Sequence, residues 1–272
     1  MPTPTITLGV FDSGFGGLTV LRELLPLIPG ARYLYLGDTA RLPYGSKSRE
    51  TIARYALSSG RFLLEQGAQH LVVACNTATA LALDDLKHDL PIPVTGVIAP
   101  GAAAAKAAPG SHVLVLATSA TVQSGAYTRA LEAQDLTATE KACPLLVPLV
   151  EEGWLDNTSE TQSVTAEVLR IYLAEAQREA PHATSLLLGC THYPLLKPLI
   201  EATLLTMNYP LQIIDSAQAT ALAVARTIHT EPTTQISSAS FYATDSIEKF
   251  QRLGSRFLGH PLPPVELIDL GG

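Results

Sequence analysis

Charge, aromatic rings and cysteine are all scarce in this chain. Of its 272 residues, 16% are charged and 6% aromatic, with three cysteines, two methionines and one tryptophan. Lys and Arg number 18 against 25 Asp and Glu, a formal net charge of −7. That balance argues against nucleic acid or an anionic membrane surface as the main partner. An odd cysteine count with no C-x-x-C pair makes no disulfide framework and no zinc or thioredoxin-like motif. Long apolar runs are missing too. The chain is 47% hydrophobic, yet its longest runs, Leu71–Ala74, Val113–Ala117 and Leu186–Leu188, are strand-length, far short of the roughly 20 residues a bilayer span needs. The opening MPTPTITLGVF has no basic stretch ahead of an apolar one, so no signal peptide is expected. These absences together predict a soluble, cytoplasmic protein. At roughly 100–200 residues per domain, the length fits one large domain or two smaller ones, with a core that needs no staples.

What is present is alternation. Strands are predicted at Ile6–Phe11, Arg32–Leu36, His70–Ala74, Val94–Val97, Val113–Ala117, Ser185–Leu188 and Gln212–Ile214. Helical patterns lie between them, at Gly17–Leu27, Ser48–Gln66, Ala78–Leu90, Ser124–Ala133, Thr161–Ala180, Leu195–Leu205 and Ser216–His229. Near-continuous apolar strands separated by amphipathic helices indicate a parallel sheet covered on both faces, an α/β class. A weak internal echo accompanies the alternation. One strand ends in Asp12-Ser13 and a later one in Cys75-Asn76-Thr77; in the second half the counterparts are Thr118-Ser119 and Cys190-Thr191-His192, offset by 106 and 115 residues. Two related halves are expected, with a seam in the Pro/Gly/Ala stretch Ala99–Gly110 and a return crossing near Asn208–Pro210. The expected first domain is therefore discontinuous, 1–98 plus 210–272, and the second is 99–209.

In open α/β sheets ligands bind at the carboxyl ends of strands, where the next helix presents free N–H groups. Four polar turns fall there. The first follows Phe11: Asp12, Ser13 and then Gly14, Gly16 and Gly17. With Asp38 after the next strand, the glycines resemble a dinucleotide-binding loop. However, Thr19 occupies the third glycine position, and the Asp12 carboxylate would repel a pyrophosphate. The second, Gly37-Asp38 to Pro43-Tyr44-Gly45, is a turn able to offer N–H groups and a phenol, or simply a Pro-Gly turn with a tyrosine lid. The third places Cys75 at a strand end ahead of Asn76 and Thr77, where a helix dipole favours thiolate. The fourth is Cys190, Thr191 and His192, with Pro194 suited to a first helical turn. Cysteine beside histidine is compatible with a hydrolytic nucleophile, a metal site or an acid–base thiol. A metal lacks further ligands at sensible spacing, and a hydrolase would leave Cys75 unexplained.

Each half thus offers a thiol at a strand end, a nearby threonine and one ionisable helper, Asp12 or His192. Inverting a stereocentre needs a base on one face of the α-carbon and an acid on the other. A thiol, with an ordinary pKa of about 8.5, serves either way. Without a cofactor to absorb charge, an enediolate-like intermediate must be held by N–H and hydroxyl donors, which the Ser/Thr/Asn-rich helix starts supply.

These four turns, with Gly96–Gly101, Ala117–Tyr127 and Ala142–Trp154 in the same order, resemble the aspartate/glutamate racemase family of cofactor-independent two-cysteine racemases. The resemblance covers most of the chain and thins after Thr230. It implies two pseudo-symmetric, doubly wound α/β domains with mainly parallel sheets and an active site in the interdomain cleft. It also implies interconversion of L- and D-glutamate with no cofactor and no metal, D-glutamate going into peptidoglycan, and a homodimer. Relatives acting on aspartate or a hydantoin are the alternative within the family. By position, Cys75 resembles the base acting on D-glutamate and Cys190 the base acting on L-glutamate, assisted by Asp12 and His192. Ser13, Pro43, Tyr44, Gly45, Asn76, Thr77, Thr118, Thr121, Glu152 and Thr191 match substrate-contacting positions. Ala117 stands where the family has glycine. Cys143 has no chemical neighbours in the sequence and reads as structural, and Trp154 as a residue near the cleft, in the core or on the surface.

Overall fold

A computed structural model describes residues 6–155, 159–228 and 237–271. The chain divides into two compact units, Met1–Val97 with Ala217–Gly272, and Ile98–Ser216. In chain order the first unit runs β1 (Thr7–Asp12), α1 (Leu18–Leu27), β2 (Arg32–Gly37), α2 (Arg49–Glu65), β3 (His70–Val73), α3 (Asn76–Asp89) and β4 (Val94–Gly96). The second unit follows with α4 (Ile98–Lys106), β5 (His112–Ala117), α5 (Ser119–Ser124), α6 (Ala126–Glu132), β6 (Thr137–Ala142), α7 (Leu146–Glu151), α8 (Ser159–Glu179), β7 (Ser185–Gly189), α9 (Lys197–Thr206) and β8 (Gln212–Asp215). The chain then returns through α10 (Ser216–Thr227), β9 (Ser238–Ala243), α11 (Ile247–Leu258) and β10 (Val265–Leu267).

Among the described residues every strand pair is parallel, in two sheets ordered β10-β9-β2-β1-β3-β4 and β6-β5-β7-β8. The order β2-β1-β3-β4 in the first sheet and β6-β5-β7-β8 in the second are one arrangement, in which the first strand of each half lies between the second and third. The echo between Asp12 and Thr118, and between Cys75 and Cys190, is therefore an echo of topology. The Cys-bearing loop of each unit leaves the third strand beside the end of the first.

In the first unit, β1 alternates between two layers with the period of two that a strand imposes. Phe11 packs with Leu36, Leu71 and Val73 against Ile52, Ala56 and Leu63 of α2 and Ala78, Ala82 and Leu86 of α3. Helices α1 and α11 pack against each other, with Phe15 against Phe250 and Phe257, and Tyr35 of β2 against Phe250. The glycine loop after β1 has a packing reason. A Cβ on Gly17 would lie 2.6 Å from Asp12 Cβ and 2.8 Å from the Ala74 Cβ, so α1 starts flush against the ends of β1 and β3. Thr19, at the would-be third glycine, is buried and donates to Gly16 O at 2.9 Å.

Several expectations change in detail. The seam expected in Ala99–Gly110 falls at its edge, between Val97 and Ile98, and the alanines of the stretch, strong helix formers, build α4. The chain stays in the second unit until Ser216, because Gln212–Asp215 pairs with β7 as its edge strand. The helix expected at Ser124–Ala133 is α6, and an unexpected short helix, α5, precedes it, the two meeting at Gly125, whose φ of +62° ends α5 and starts α6. Helix α3 begins at Asn76, earlier than expected, which makes Cys75 its N-cap. Elements β6, α7, β9, α11 and β10 were not anticipated. The expected end of the helix at His229 lies outside the described residues. Among the described residues, no helix is long and apolar enough to cross a membrane.

Glycines 17 and 101 give a paired test of this packing. Gly101 lies inside α4, where an added Cβ meets nothing closer than 3.5 Å. Gly17→Ala is expected to destabilise by about 1–3 kcal/mol through overpacking, and Gly101→Ala to stabilise by about 0.5–1 kcal/mol through helix propensity. Urea unfolding midpoints check both; a Gly17→Ala protein as stable as wild type contradicts the close approach.

Candidate active site

In a parallel sheet ordered 2-1-3-4, the point where the order reverses is a crevice between the ends of strands 1 and 3. In the first unit these are β1 and β3, and Asp12, Ser13 and Cys75 meet there. Asp12 is buried, with Oδ2 accepting from Gly14 N at 2.9 Å. Cys75 caps α3, its Sγ accepting from Ala78 N at 3.4 Å and lying 3.5 Å from Ser13 Oγ. Burial and, secondarily, the negative charge of Asp12 push the Cys75 thiol up to about 11, against the smaller opposing pull of hydrogen bonds from the Ser13 hydroxyl and the Ser13 and Ala78 amides. The helix start was expected to favour thiolate; desolvation outweighs it, and Cys75 rests as a thiol. Asn76 and Thr77 follow as the buried first residues of α3.

The Pro43-Tyr44-Gly45 turn sits differently from expectation. Pro43 is exposed, Gly45 half-buried and Tyr44 almost fully buried. The Tyr44 ring packs in the apolar core with Phe11 and Tyr55, and its hydroxyl donates to Asp38 Oδ2. Burial and the Asp38 charge hold that phenol far above its ordinary pKa. The phenol is therefore committed inward, and the turn's donors are backbone N–H groups. Asp38 is likewise committed: buried, it accepts from Arg41 Nε at 2.9 Å and Thr244 Oγ1 at 3.0 Å as well as from Tyr44. No oxygen of it is presented to a ribose, which removes the nucleotide reading of the glycine loop.

In the second unit the reversal lies between β5 and β7. Ala117 pairs with Gly189 in register, so Thr118 and Cys190 end neighbouring strands. Thr118 caps α5, accepting from Thr121 N at 3.5 Å, with the two threonine hydroxyls 3.0 Å apart. Cys190, Thr191 and His192 are all buried. His192 Nδ1 lies 3.9 Å from Cys190 Sγ and 3.4 Å from Thr191 Oγ1, while Nε2 lies 3.2 Å from Glu151 Oε1. A carboxylate only accepts, so it selects the tautomer with the proton on Nε2 and leaves Nδ1 as the acceptor facing the thiol. Glu152 is expected at a substrate contact, and Glu151 carries no expectation. Glu151 is the last residue of α7 and turns to His192, whereas Glu152 caps the helix on its exposed side. The signal available was the Glu-Glu pair itself, which leaves the helical phase undetermined.

Cys143 is buried beyond the end of β6, pushed up to about 12 by burial, with Sγ 3.6 Å from Lys141 O. Its carbonyl accepts from the Tyr193 hydroxyl at 3.1 Å, a structural contact. Trp154 is 37% exposed.

Residues 18–224 match the protein family described as Asp/Glu/Hydantoin racemase. The chain is 49% identical to the glutamate racemase of Koribacter versatilis, over 97% of this chain and 98% of that protein. Among solved structures it resembles glutamate racemase from Thermus thermophilus in complex with β-chloro-D-alanine, with a TM-score of 0.85, 42% identity and 99% of each chain covered. Glutamate racemase from Francisella tularensis in complex with D-glutamate is also similar, with a TM-score of 0.87, 31% identity and 98% of each chain covered.

The protonation state of Cys75 is directly measurable. Because the thiolate is the reactive form, alkylation of Cys75 in a Cys143→Ala, Cys190→Ala background is expected to quicken about tenfold per pH unit from pH 8 to 10, consistent with a thiol pushed up to about 11. A rate that levels off by about pH 9, as for a thiol of ordinary pKa near 8.5, contradicts the effect of burial.

Proposed function

The chain belongs to the Asp/Glu/Hydantoin racemase family, and from that premise we propose that it interconverts L- and D-glutamate, with Cys75 and Cys190 alternating as base and acid. The observation that carries the mechanism is the equivalence of the two thiols. Each follows the third strand of a 2-1-3-4 sheet, beside the end of the first, with one proton-handling neighbour. Glutamate is favoured over aspartate or a hydantoin because the full-length relatives that are 40–49% identical bear the name glutamate racemase. Its D-glutamate product would enter peptidoglycan.

The chemistry follows from the residues. His192 Nδ1 accepts the Cys190 proton, and Glu151 steadies the resulting imidazolium. The Cys190 thiolate takes the α-proton of L-glutamate; Cys75, held as a thiol by burial and Asp12, returns a proton to the opposite face. The reverse reaction begins with Cys75 as thiolate, for which Ser13 and Ala78 supply the donors. Between the two transfers the substrate carboxylate carries the negative charge and needs preorganised donors. Asn76, Thr77, Thr118, Thr121 and Thr191 are the candidates for that role, and the N–H groups of the Tyr44-Gly45 turn are the candidates for binding the substrate's other, side-chain carboxylate.

Purified protein should racemise either glutamate enantiomer, followed by circular dichroism. Cys75→Ser and Cys190→Ser are each expected to lower kcat by about 100- to 10,000-fold, the range for removing a general acid or base. Either variant racemising near the wild-type rate refutes the mechanism. Glu151→Gln, which keeps an acceptor and removes the negative charge beside His192, is expected to lower kcat by about 10- to 100-fold, the scale of a charge-assisted hydrogen bond. Glu152→Gln should stay within about twofold, as at an ordinary surface site; the opposite ranking contradicts the assignment of Glu151 to His192.

A further inference from the structure

The turn at Pro43-Tyr44-Gly45 is built by a residue 200 positions away in the chain. Thr244 immediately follows β9, the strand that lies beside β2 and extends the register past Tyr242 and Ala243. Its N–H donates to Gly37 O at 3.2 Å. Its hydroxyl does two things at once: it donates to Asp38 Oδ1 at 3.0 Å and accepts from Ala40 N at 2.9 Å. Next door, Thr39 Oγ1 lies 2.6 Å from Asp245 O and accepts from Asp245 N at 2.9 Å. Asp38 passes the constraint on in two directions. Its carboxylate holds Arg41 and the Tyr44 hydroxyl, and its own N–H donates to Asp12 O at 3.0 Å, the residue beside Cys75.

We propose that Thr244 and Asp38 form a latch that sets the Tyr44-Gly45 turn in place for the substrate's side-chain carboxylate, making Thr244 a positioning residue for substrate binding. This rests on the glutamate-racemase reading and deepens it. A buried carboxylate holds its geometry only when its acceptor sites are filled by donors of fixed direction. Asp38 has three, from Arg41, Tyr44 and Thr244. Arg41 and Tyr44 lie on the loop being positioned, Arg41 reaching on to Ser58 Oγ of α2 at 3.0 Å, so of the three donors Thr244 is the one that stands at the end of a sheet strand. Removing that hydroxyl leaves the loop's internal bonds and the Thr39–Asp245 and Arg41–Ser58 bonds in place and loosens the sheet's hold on Asp38 and Ala40. Because the Tyr44 phenol is spent on Asp38, the turn's contribution to a substrate carboxylate is a pair of backbone N–H groups. These act through position alone, so the loss appears in binding before it appears in chemistry.

The test compares wild type, Thr244→Val, Thr244→Ser and Tyr44→Phe by steady-state racemisation in both directions and by backbone hydrogen exchange. Thr244→Val keeps the side-chain shape and removes both hydroxyl bonds. KM for both enantiomers is expected to rise about tenfold, the scale of one hydrogen bond to a charged group, with kcat within about threefold. Thr244→Ser should restore KM to within about twofold, and Tyr44→Phe, which cuts the latch at its other end, should raise KM as Thr244→Val does. Exchange at residues 39–46 should quicken in Thr244→Val while α3 stays as protected as in wild type. If Thr244→Val fails to fold, Tyr44→Phe and the serine variant carry the comparison. An active wild type whose KM is unmoved in Thr244→Val and Tyr44→Phe overturns the latch alone. So does unchanged exchange at 39–46, or a kcat loss that serine does not rescue. A wild type inactive on glutamate overturns the racemase reading and this substrate role with it, while the exchange arm still reports separately on the bonds.

Discussion

Right-handed crossovers impose the constraint from which both clusters follow. A parallel β-α-β connection is right-handed almost without exception. When strand 1 connects outward to strand 2 on one side and strand 3 to strand 4 on the other, the helices after strands 1 and 3 are driven to opposite faces of the sheet. Their first turns part, and the gap between them is lined by N–H groups that no strand satisfies. Cys75 and Cys190 each stand at one such gap, opposite Ser13 and Thr118 on the neighbouring strand ends. The apolar residues matter to the chemistry because they hold this geometry: Phe11, Val73 and Ala78 on one face of β1, and the α1–α11 layer with Phe15 and Phe250 on the other.

The two gaps are alike in backbone and unlike in charge. Cys75 has a carboxylate for a neighbour, and burial keeps it protonated. Cys190 has an imidazole whose far nitrogen is anchored by Glu151. A racemase tolerates this asymmetry because its two substrates are enantiomers with equal free energies in water. The equilibrium constant is one, so kcat/KM must be equal in the two directions whatever the individual thiols prefer. Differences between the half-sites are confined to kcat and KM separately, where they trade one against the other.

Much of this was legible in the sequence, for reasons that differ residue by residue. Parallel strands buried on both faces announce themselves as apolar runs, and β1, β3, β5 and β7 were found within a residue or two. The strand Thr137–Ala142 was not, because a half-buried edge strand spelled Thr-Ala-Thr-Glu-Lys-Ala carries no apolar run. Helix α11 was also passed over, although Phe250, Leu253, Phe257 and Leu258 do carry helical spacing. Polar turns at strand ends could be located but not aimed. A tyrosine beside glycine reads as a ligand contact; Asp38, six residues earlier, draws its hydroxyl into the interior. Glu151 and Glu152 differ by one residue, about 100° of helix, which decides which of them meets His192. The glycines after Asp12 looked like a phosphate loop, whereas the close approach of α1 to Asp12 and Ala74 accounts for Gly17. For Cys75 the helix dipole was visible in the sequence and the burial was not, and burial is the larger effect.

The central claim is that two different thiols handle the α-proton, one on each side. The most direct measurement is the initial-rate fate of deuterium when a single glutamate enantiomer is incubated in D2O. Two bases predict that the product enantiomer carries deuterium at the α-carbon from its first appearance while recovered substrate carries none. Deuterium in the recovered substrate at early times, or product that keeps its original proton, means one base serves both faces and contradicts the account.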